Sequence, residues 1–399
     1  MKKNIYATYA GSAIFTLLTI PSAFAAESLA ELNEELDELK SRIEQLQVES
    51  IRNADAAEWR YSDSLVHLSG YADVNYFDAD SENGQFAVGK FAPIFHYQFR
   101  DLVMLESELE IEVDEDGETE VKLEYLSVNA FLNDYVTLVA GKFLSPIGQF
   151  RQNLHPSWIN KLASAPPGFG HDGAAPVADV GLQLRGGVPI GPFRSNYVVY
   201  VSNGPTLKAE FEDGEFELDG VEAEGASSDE DGDKVIGGRF GFHLIPHLEI
   251  GFSLASGKVT VGEVEDGDSS LLSGEGARDY DVRGTDFSYQ IDDFQFRGEY
   301  AETEVGATTQ GIAASQGATW ETWYTQASYR RGQSKFEYVI RFSDFDSPHD
   351  SRDQEQWALG VNYLFTNSAI FKATYELNDG EKDSDADENR LMLQLTYGF

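Results

Sequence analysis

The stretch Leu391-Met392-Leu393-Gln394-Leu395-Thr396-Tyr397-Gly398-Phe399 puts Leu391, Leu393, Leu395, Tyr397 and Phe399 on one face, and Met392, Gln394, Thr396 and Gly398 on the other. An apolar period of two marks a strand with one face in an apolar medium. The strand carries the final aromatic residue with no tail after it, so Phe399 itself is expected to be paired inside a sheet. A closed barrel finishes that way, because closure leaves no unpaired edge.

Working back through the chain, period-two segments occur near 65–77, 86–99, 102–113, 120–131, 135–142, 179–188, 195–203 and 234–244. They continue near 248–257, 280–291, 294–303, 320–330, 335–343, 356–365, 369–378 and 390–399. These make about sixteen strands, an even number as bacterial single-chain barrels have. Short links (Arg100-Asp101, Asn133-Asp134, Pro189 to Pro192, Pro246-His247, Asp292-Asp293, Arg331 to Gln333, Thr366-Asn367) alternate with longer polar ones. That asymmetry predicts periplasmic turns, outer loops and both ends of the barrel in the periplasm. Trp357, Leu359, Val361, Tyr363 and Phe365 share one face, as do Phe336, Tyr338, Ile340 and Phe342; these faces are expected to meet lipid. Lys335, Glu337, Arg341, Asn362, Lys372 and Glu376 would then point inward and keep the interior polar. The terminal Thr396-Tyr397-Gly398-Phe399 resembles the C-terminal signature of bacterial outer-membrane barrels. The resemblance implies that Tyr397 and Phe399 address the chain to the barrel assembly machinery.

Composition fits this reading. Of 399 residues 13% are aromatic and 37 are glycine, which suits one large sheet with aromatic girdles. A formal charge of -40 argues against the broad Lys and Arg surface that a nucleic acid backbone needs, so no nucleic acid partner is expected. With no cysteine there is neither a disulfide framework nor a thiolate metal site. No nucleophile elbow, phosphate loop or paired-histidine zinc motif occurs, so no enzyme, metal or cofactor is expected.

Lys2 and Lys3, the apolar run from Ala13 to Ile20 and the small-residue site Ala23-Phe24-Ala25 form a secretory signal peptide, with cleavage expected after Ala25. Over 26–49, Leu29, Leu32, Leu36, Leu39, Ile43 and Leu46 recur at spacings of three and four, a heptad seam. Glu35 and Lys40 fall where they can pair between parallel chains, so a short periplasmic coiled-coil helix and self-association are expected. A surface helix folded back on its own barrel is the alternative. Residues 50–64 read as a linker and 65–399 as the barrel.

The connection from Phe143 to Ala178 stands apart, with five of the chain's 12 prolines and a single acid, Asp172. Arg151, His155, Trp158, Lys161 and His171 are its candidate functional residues. Structureless loops of this length are uncommon unless functional. Folded inward, it would narrow the lumen and let a few charges set selectivity. The run Gly141-Lys142-Phe143-Leu144-Ser145-Pro146-Ile147-Gly148, followed by Leu154-His155-Pro156-Ser157-Trp158-Ile159-Asn160-Lys161, resembles the third-loop region of the phosphate-selective (O and P type) porin family. The resemblance extends over the signal peptide, the coiled coil and the strand pattern, and implies a homotrimeric outer-membrane channel. That family's arginine ladder and constriction lysines have no residue-by-residue counterpart here.

Strand parity assigns Arg185, Arg239, Arg297, Arg330 and Arg341 to the interior, together with Asp179, Asp286, Glu299 and Glu337. Glu106, Glu108, Glu110 and Glu112 form an acidic row on one strand. Two outcomes stay open: basic groups clustered at the narrowing would favour anions such as phosphate, whereas the glutamate row there would favour cations. The acidic segments Glu210 to Asp233 and Asp379 to Glu388 read as solvated outer loops, with divalent bridging to lipopolysaccharide as a second reading. The sequence thus predicts an all-β, about sixteen-stranded antiparallel transmembrane barrel in the outer-membrane lipid, passing small hydrophilic solutes and ions passively. The rival function is an envelope tether or adhesion protein that uses the barrel as its anchor.

Overall fold

The computed structural model describes residues 40–42 and 64–399, except 82, 114–116, 171–172, 213–214, 228, 230–231, 265–273, 312–314 and 383. The signal peptide, the seam from Leu29 to Leu46 and His171 therefore lie outside the described residues; 40–42 are helical. The strands are β1 (Ser64–Ala79), β2 (Gln85–Phe99), β3 (Val103–Val113), β4 (Thr119–Asn133), β5 (Val136–Leu144), β6 (Ala178–Ile190), β7 (Phe193–Ser202), β8 (Thr206–Glu212), β9 (Glu215–Glu222) and β10 (Val235–Ile245). They continue as β11 (Leu248–Val259), β12 (Val261–Val264), β13 (Arg278–Ile291), β14 (Phe294–Val305), β15 (Ala318–Tyr329), β16 (Phe336–Asp346), β17 (Gln354–Leu364), β18 (Ala369–Gly380) and β19 (Arg390–Gly398).

All but β8, β9 and β12 form a closed sixteen-stranded antiparallel barrel in which each strand pairs with its neighbours in sequence and β19 pairs with β1. The seam holds to the last residue: Phe399 N donates to Gly70 O (2.9 Å) and Gly70 N to Phe399 O (3.0 Å). No barrel edge is left to pair with another chain. Short turns gather at the end that holds Ser64 and Phe399, and the long connections at the other. Three short turns place Arg100, His247 and Asp292 at positive φ (51°, 67° and 51°), the backbone twist that tight hairpins need.

Alternation sorts the faces. Outward side chains such as Phe336, Tyr338, Ile340, Trp357, Leu359 and Leu395 stay exposed, whereas Arg341, Asn362, Lys372, Glu376 and Thr396 are buried inside. Outward rings cluster at two levels: Phe336, Tyr363 and Phe365 near the short turns, Trp323, Phe342 and Trp357 near the long loops. Phe336 and Phe342 are about 20 Å apart along β16, the spacing of two girdles around a hydrocarbon belt. Lys335 departs from the inward placement that its parity suggests. It precedes β16, and its Nζ sits 5.6 Å from the centre of the Tyr363 ring on the outer face.

The acidic stretch expected to be wholly solvated is instead partly built. β8, β9 and β12 make a three-stranded sheet at the long-loop end. Its buried side, Leu207, Ala209, Leu218, Val221 and Val261, packs into one cluster with Phe143, Tyr200 and Tyr280. His349 Nε2 lies 2.9 Å from Leu218 O, and Arg352 pairs with buried Asp219 (2.7 Å), tying the sheet to the β16–β17 connection.

Candidate functional site: the loop inside the barrel

Prolines give residues 145–177 carbonyls without a ladder, and such groups need partners once buried. The inner wall supplies them strand by strand. On β11, Ser253 accepts from Gly148 N (3.1 Å). On β14, one Glu299 carboxylate accepts from Gln149 N (2.8 Å), Phe150 N (3.1 Å) and the Tyr324 hydroxyl (2.7 Å), and Thr303 donates to Ala174 O (2.7 Å). On β15, Thr322 donates to Pro167 O (2.8 Å). On β16, Arg341 donates to Ser164 O (3.1 Å), Ala165 O (3.0 Å) and Gln356 Oε1 (2.8 Å).

The series runs on to the seam. Asn362 of β17 donates to Lys161 O (2.9 Å), and Thr374 of β18 accepts from Ala163 N (3.1 Å). The buried Lys372 ammonium donates to Ser157 O, Leu162 O (3.2 Å) and Gln394 Oε1 (2.8 Å). Ser157 meets Thr396 of β19 at 2.8 Å. Trp158 closes the sequence by lying on Gly398: a Cβ added there would meet Trp158 Cδ2 at 2.7 Å, so the glycine before the terminal Phe399 is a seat for the loop. Phe150, in the single π-helical turn Phe150–Leu154, packs with Phe169 and Tyr324.

The opposite wall is different. Among the described residues, no hydrogen bond joins this loop to β1, β2, β3 or β4. Two cavities lie there instead. The larger, about 500 Å³, is lined by Asp73, Lys90, Glu110, Glu112, Glu120 and Glu124 from the wall and by Arg151 and His155 from the loop. The smaller, about 240 Å³, has Glu106, Glu108, Tyr125 and Arg185 on its wall, and His155 lines it too. At that shared point Tyr71 OH donates to Glu108 (3.0 Å), and His155 Nε2 stands 3.7 Å from the same carboxylate. The glutamate row therefore runs beside both cavities.

Of the basic candidates, Arg151, His155 and Arg185 line these cavities; Arg239, Arg330, Arg341 and Lys161 do not. Arg239 is held by Asp286 (2.6 and 2.8 Å) and Glu249 (3.0 Å). Arg341 serves the loop backbone. Arg185 donates to Asn129 (2.9 Å) and stands 3.9 Å from Glu106. Arg330 lies beyond the end of β15 and braces a short turn through Ser334 O (2.8 Å). Lys161 pairs with Glu337 and donates to Ser328 (2.9 Å). Burial pushes the Lys161 ammonium down, Glu337 opposes this, and nearby Arg297 and Arg330 reinforce it. Among the described basic residues of the loop, Arg151 and His155 face the acidic wall; burial lowers the Arg151 guanidinium, and the charges of Glu124 and Glu110 act against that.

Sequence reading omits Lys90, which pairs with Glu110 (2.7 Å) and Glu112 (3.2 Å), and Lys372 as a loop anchor. It also omits Glu124. The β3–β4 register slips between Glu108/Tyr125 and Leu109/Leu123. The extra residue lets Glu124 join Tyr125 on the inner face, and strict alternation gives no sign of such a bulge.

No protein-family model matches the chain, and no curated protein matches it. Solved structures do. The anion-selective porin from Comamonas acidovorans superposes with a TM-score of 0.58 at 14% identity, covering 84% of this chain and 100% of that one. Salmonella typhi OmpF in complex with daunomycin gives 0.55 at 13%, covering 84% and 97%. The outer membrane channel DcaP of Acinetobacter baumannii gives 0.51 at 12%, covering 85% and 98%. The chain has the fold of the outer-membrane porins. At such identities the likeness speaks for the barrel and its strand order, and it does not single out the phosphate-selective type.

Proposed function

We propose that the protein is an outer-membrane porin, a passive channel for small hydrophilic solutes and ions that leans toward cations. The observation that carries this reading is the polar space left between the loop and the β1–β4 wall, where two cavities meet at His155. A wall of Asp73 and Glu106 to Glu124 raises the local cation concentration, since a narrow low-dielectric passage focuses the field of its charges. Arg239, Arg341 and Lys161 are occupied by carboxylates or by loop carbonyls, which argues against an anion pathway of the phosphate-selective kind. The apolar outer belt fits outer-membrane lipid, with lipopolysaccharide beside the long loops. Tyr397 and Phe399 fit recognition by the barrel assembly machinery, and the heptad seam from Leu29 to Leu46 fits self-association, with a homotrimer as the state that the third-loop resemblance implies. The reading involves no catalysis and no cofactor.

Liposomes loaded with a small sugar test the channel. Folded protein is expected to release the sugar within the swelling time of a porin control, while a large dextran stays inside. Intact liposomes despite inserted, folded protein would refute the channel and favour the tether.

A further inference from the structure

Two opposite charges line the larger cavity; each feels the other across the space, yet among the described residues no hydrogen bond or ion pair joins them. Glu124 is only 9% exposed, and among the described residues its carboxylate accepts no hydrogen bond and forms no ion pair. Arg151 is likewise without a side-chain hydrogen bond among the described residues, and its buried Nε is unsatisfied. Both line the same space, with Lys90 already committed to Glu110 and Glu112. Burial costs both groups solvation, and the attraction between Glu124 and Arg151 across the cavity offsets that only in part, because no direct pair forms. The bulge that turns Glu124 inward is a local feature of β4, as bulges beside binding sites are. On the other side, the π-helical turn Phe150–Leu154 presents Arg151, and its neighbour Phe150 is fixed through Glu299. The two groups are thus mounted on separate, anchored elements with a cavity between them.

We propose that this cavity binds small zwitterionic solutes: their carboxylate docks on the Arg151 guanidinium and their ammonium on Glu124. The guanidinium offers a planar fork that matches a carboxylate, and the ammonium supplies the donors that Glu124 lacks. One dipolar molecule satisfies both groups at once, whereas a simple cation leaves Arg151 unpaired and a simple anion leaves Glu124 unpaired. The inference rests on the channel reading for the solute's route to the cavity, and it names the solute class that this route would serve.

Saturation-transfer NMR on the full chain folded in detergent micelles tests it, with L-glutamine as the zwitterion, L-glutaminamide as the cation and N-acetyl-L-glutamine as the anion. L-glutamine is expected to bind about tenfold more tightly than either single-charge analogue. Glu124→Gln and Arg151→Gln should each weaken L-glutamine about tenfold. Arg151→Gln should leave L-glutaminamide unchanged, and Glu124→Gln should leave N-acetyl-L-glutamine unchanged. Heat-modifiable migration shows that each variant is folded. Equal binding of L-glutaminamide and L-glutamine, with no effect of Arg151→Gln, would overturn the proposal in favour of a plain cation site. Absence of L-glutamine binding to folded protein would overturn it as well. Conductance recorded on the same preparations separates the two readings: a barrel that conducts but does not bind refutes only the site, and one that binds but does not conduct refutes only the channel.

Discussion

The two halves of the inner wall treat the same loop in opposite ways. From β11 and β14 to β19 the wall meets it with Ser253, Glu299, Thr322, Arg341, Lys372 and Thr396, one anchor after another. From β1 to β4 it offers a row of carboxylates beside two cavities, two of them paired with Lys90 of the same wall and none bonded to the loop backbone among the described residues. The difference shows how a polar interior can be structural on one side and functional on the other. Buried carbonyls of a proline-rich segment need donors, and the donors that meet them are thereby removed from the pathway. Charges left facing a cavity keep their field available to a solute.

The largest effect is expected on the anchored side. Arg341→Met removes four hydrogen bonds, three to Ser164 and Ala165 of the loop and one to Gln356, and should cost about 3 kcal/mol. The thermal transition of the folded barrel reads that loss, and single-channel current should become larger and noisier as the loop loosens. An unchanged transition and a quiet current would mean that the loop is held elsewhere. Gly398→Ala comes next, because its Cβ would fall 2.7 Å from Trp158. The displaced ring should cost about 2 kcal/mol, measured in the same melt. On the open side the ordering reverses. Glu120→Gln, at an exposed carboxylate lining the larger cavity, should leave the melt within about 1 kcal/mol of the parent while lowering the potassium-to-chloride permeability ratio roughly twofold. A large stability loss there, or no change in selectivity, would erase the contrast between the two walls.

Much of this was legible in the chain. Every barrel strand shows its apolar outer face in alternation, and Leu391 to Phe399 announces the closing one. The small sheet was hidden, because the carboxylates of Glu210 to Asp233 mask the alternation of Leu207, Ala209 and Phe211 and of Phe216 and Leu218. Parity placed Arg239 and Arg341 inside but could not say what they do there. Their partners, Asp286 and the carbonyls of Ser164 and Ala165, are distant in sequence, and only the closed register brings them together. The bulge at Glu124 has the same character: it is a choice of pairing, which leaves no compositional mark.

The reversal potential of the purified protein in a planar bilayer under a potassium chloride gradient bears most directly on the claim that solutes pass along the acidic wall. A potential of the sign set by potassium is the expected result. A potential of the sign set by chloride would contradict it, and would mean that Arg151, with Arg185 and Arg297, governs the narrowing instead of the glutamate row.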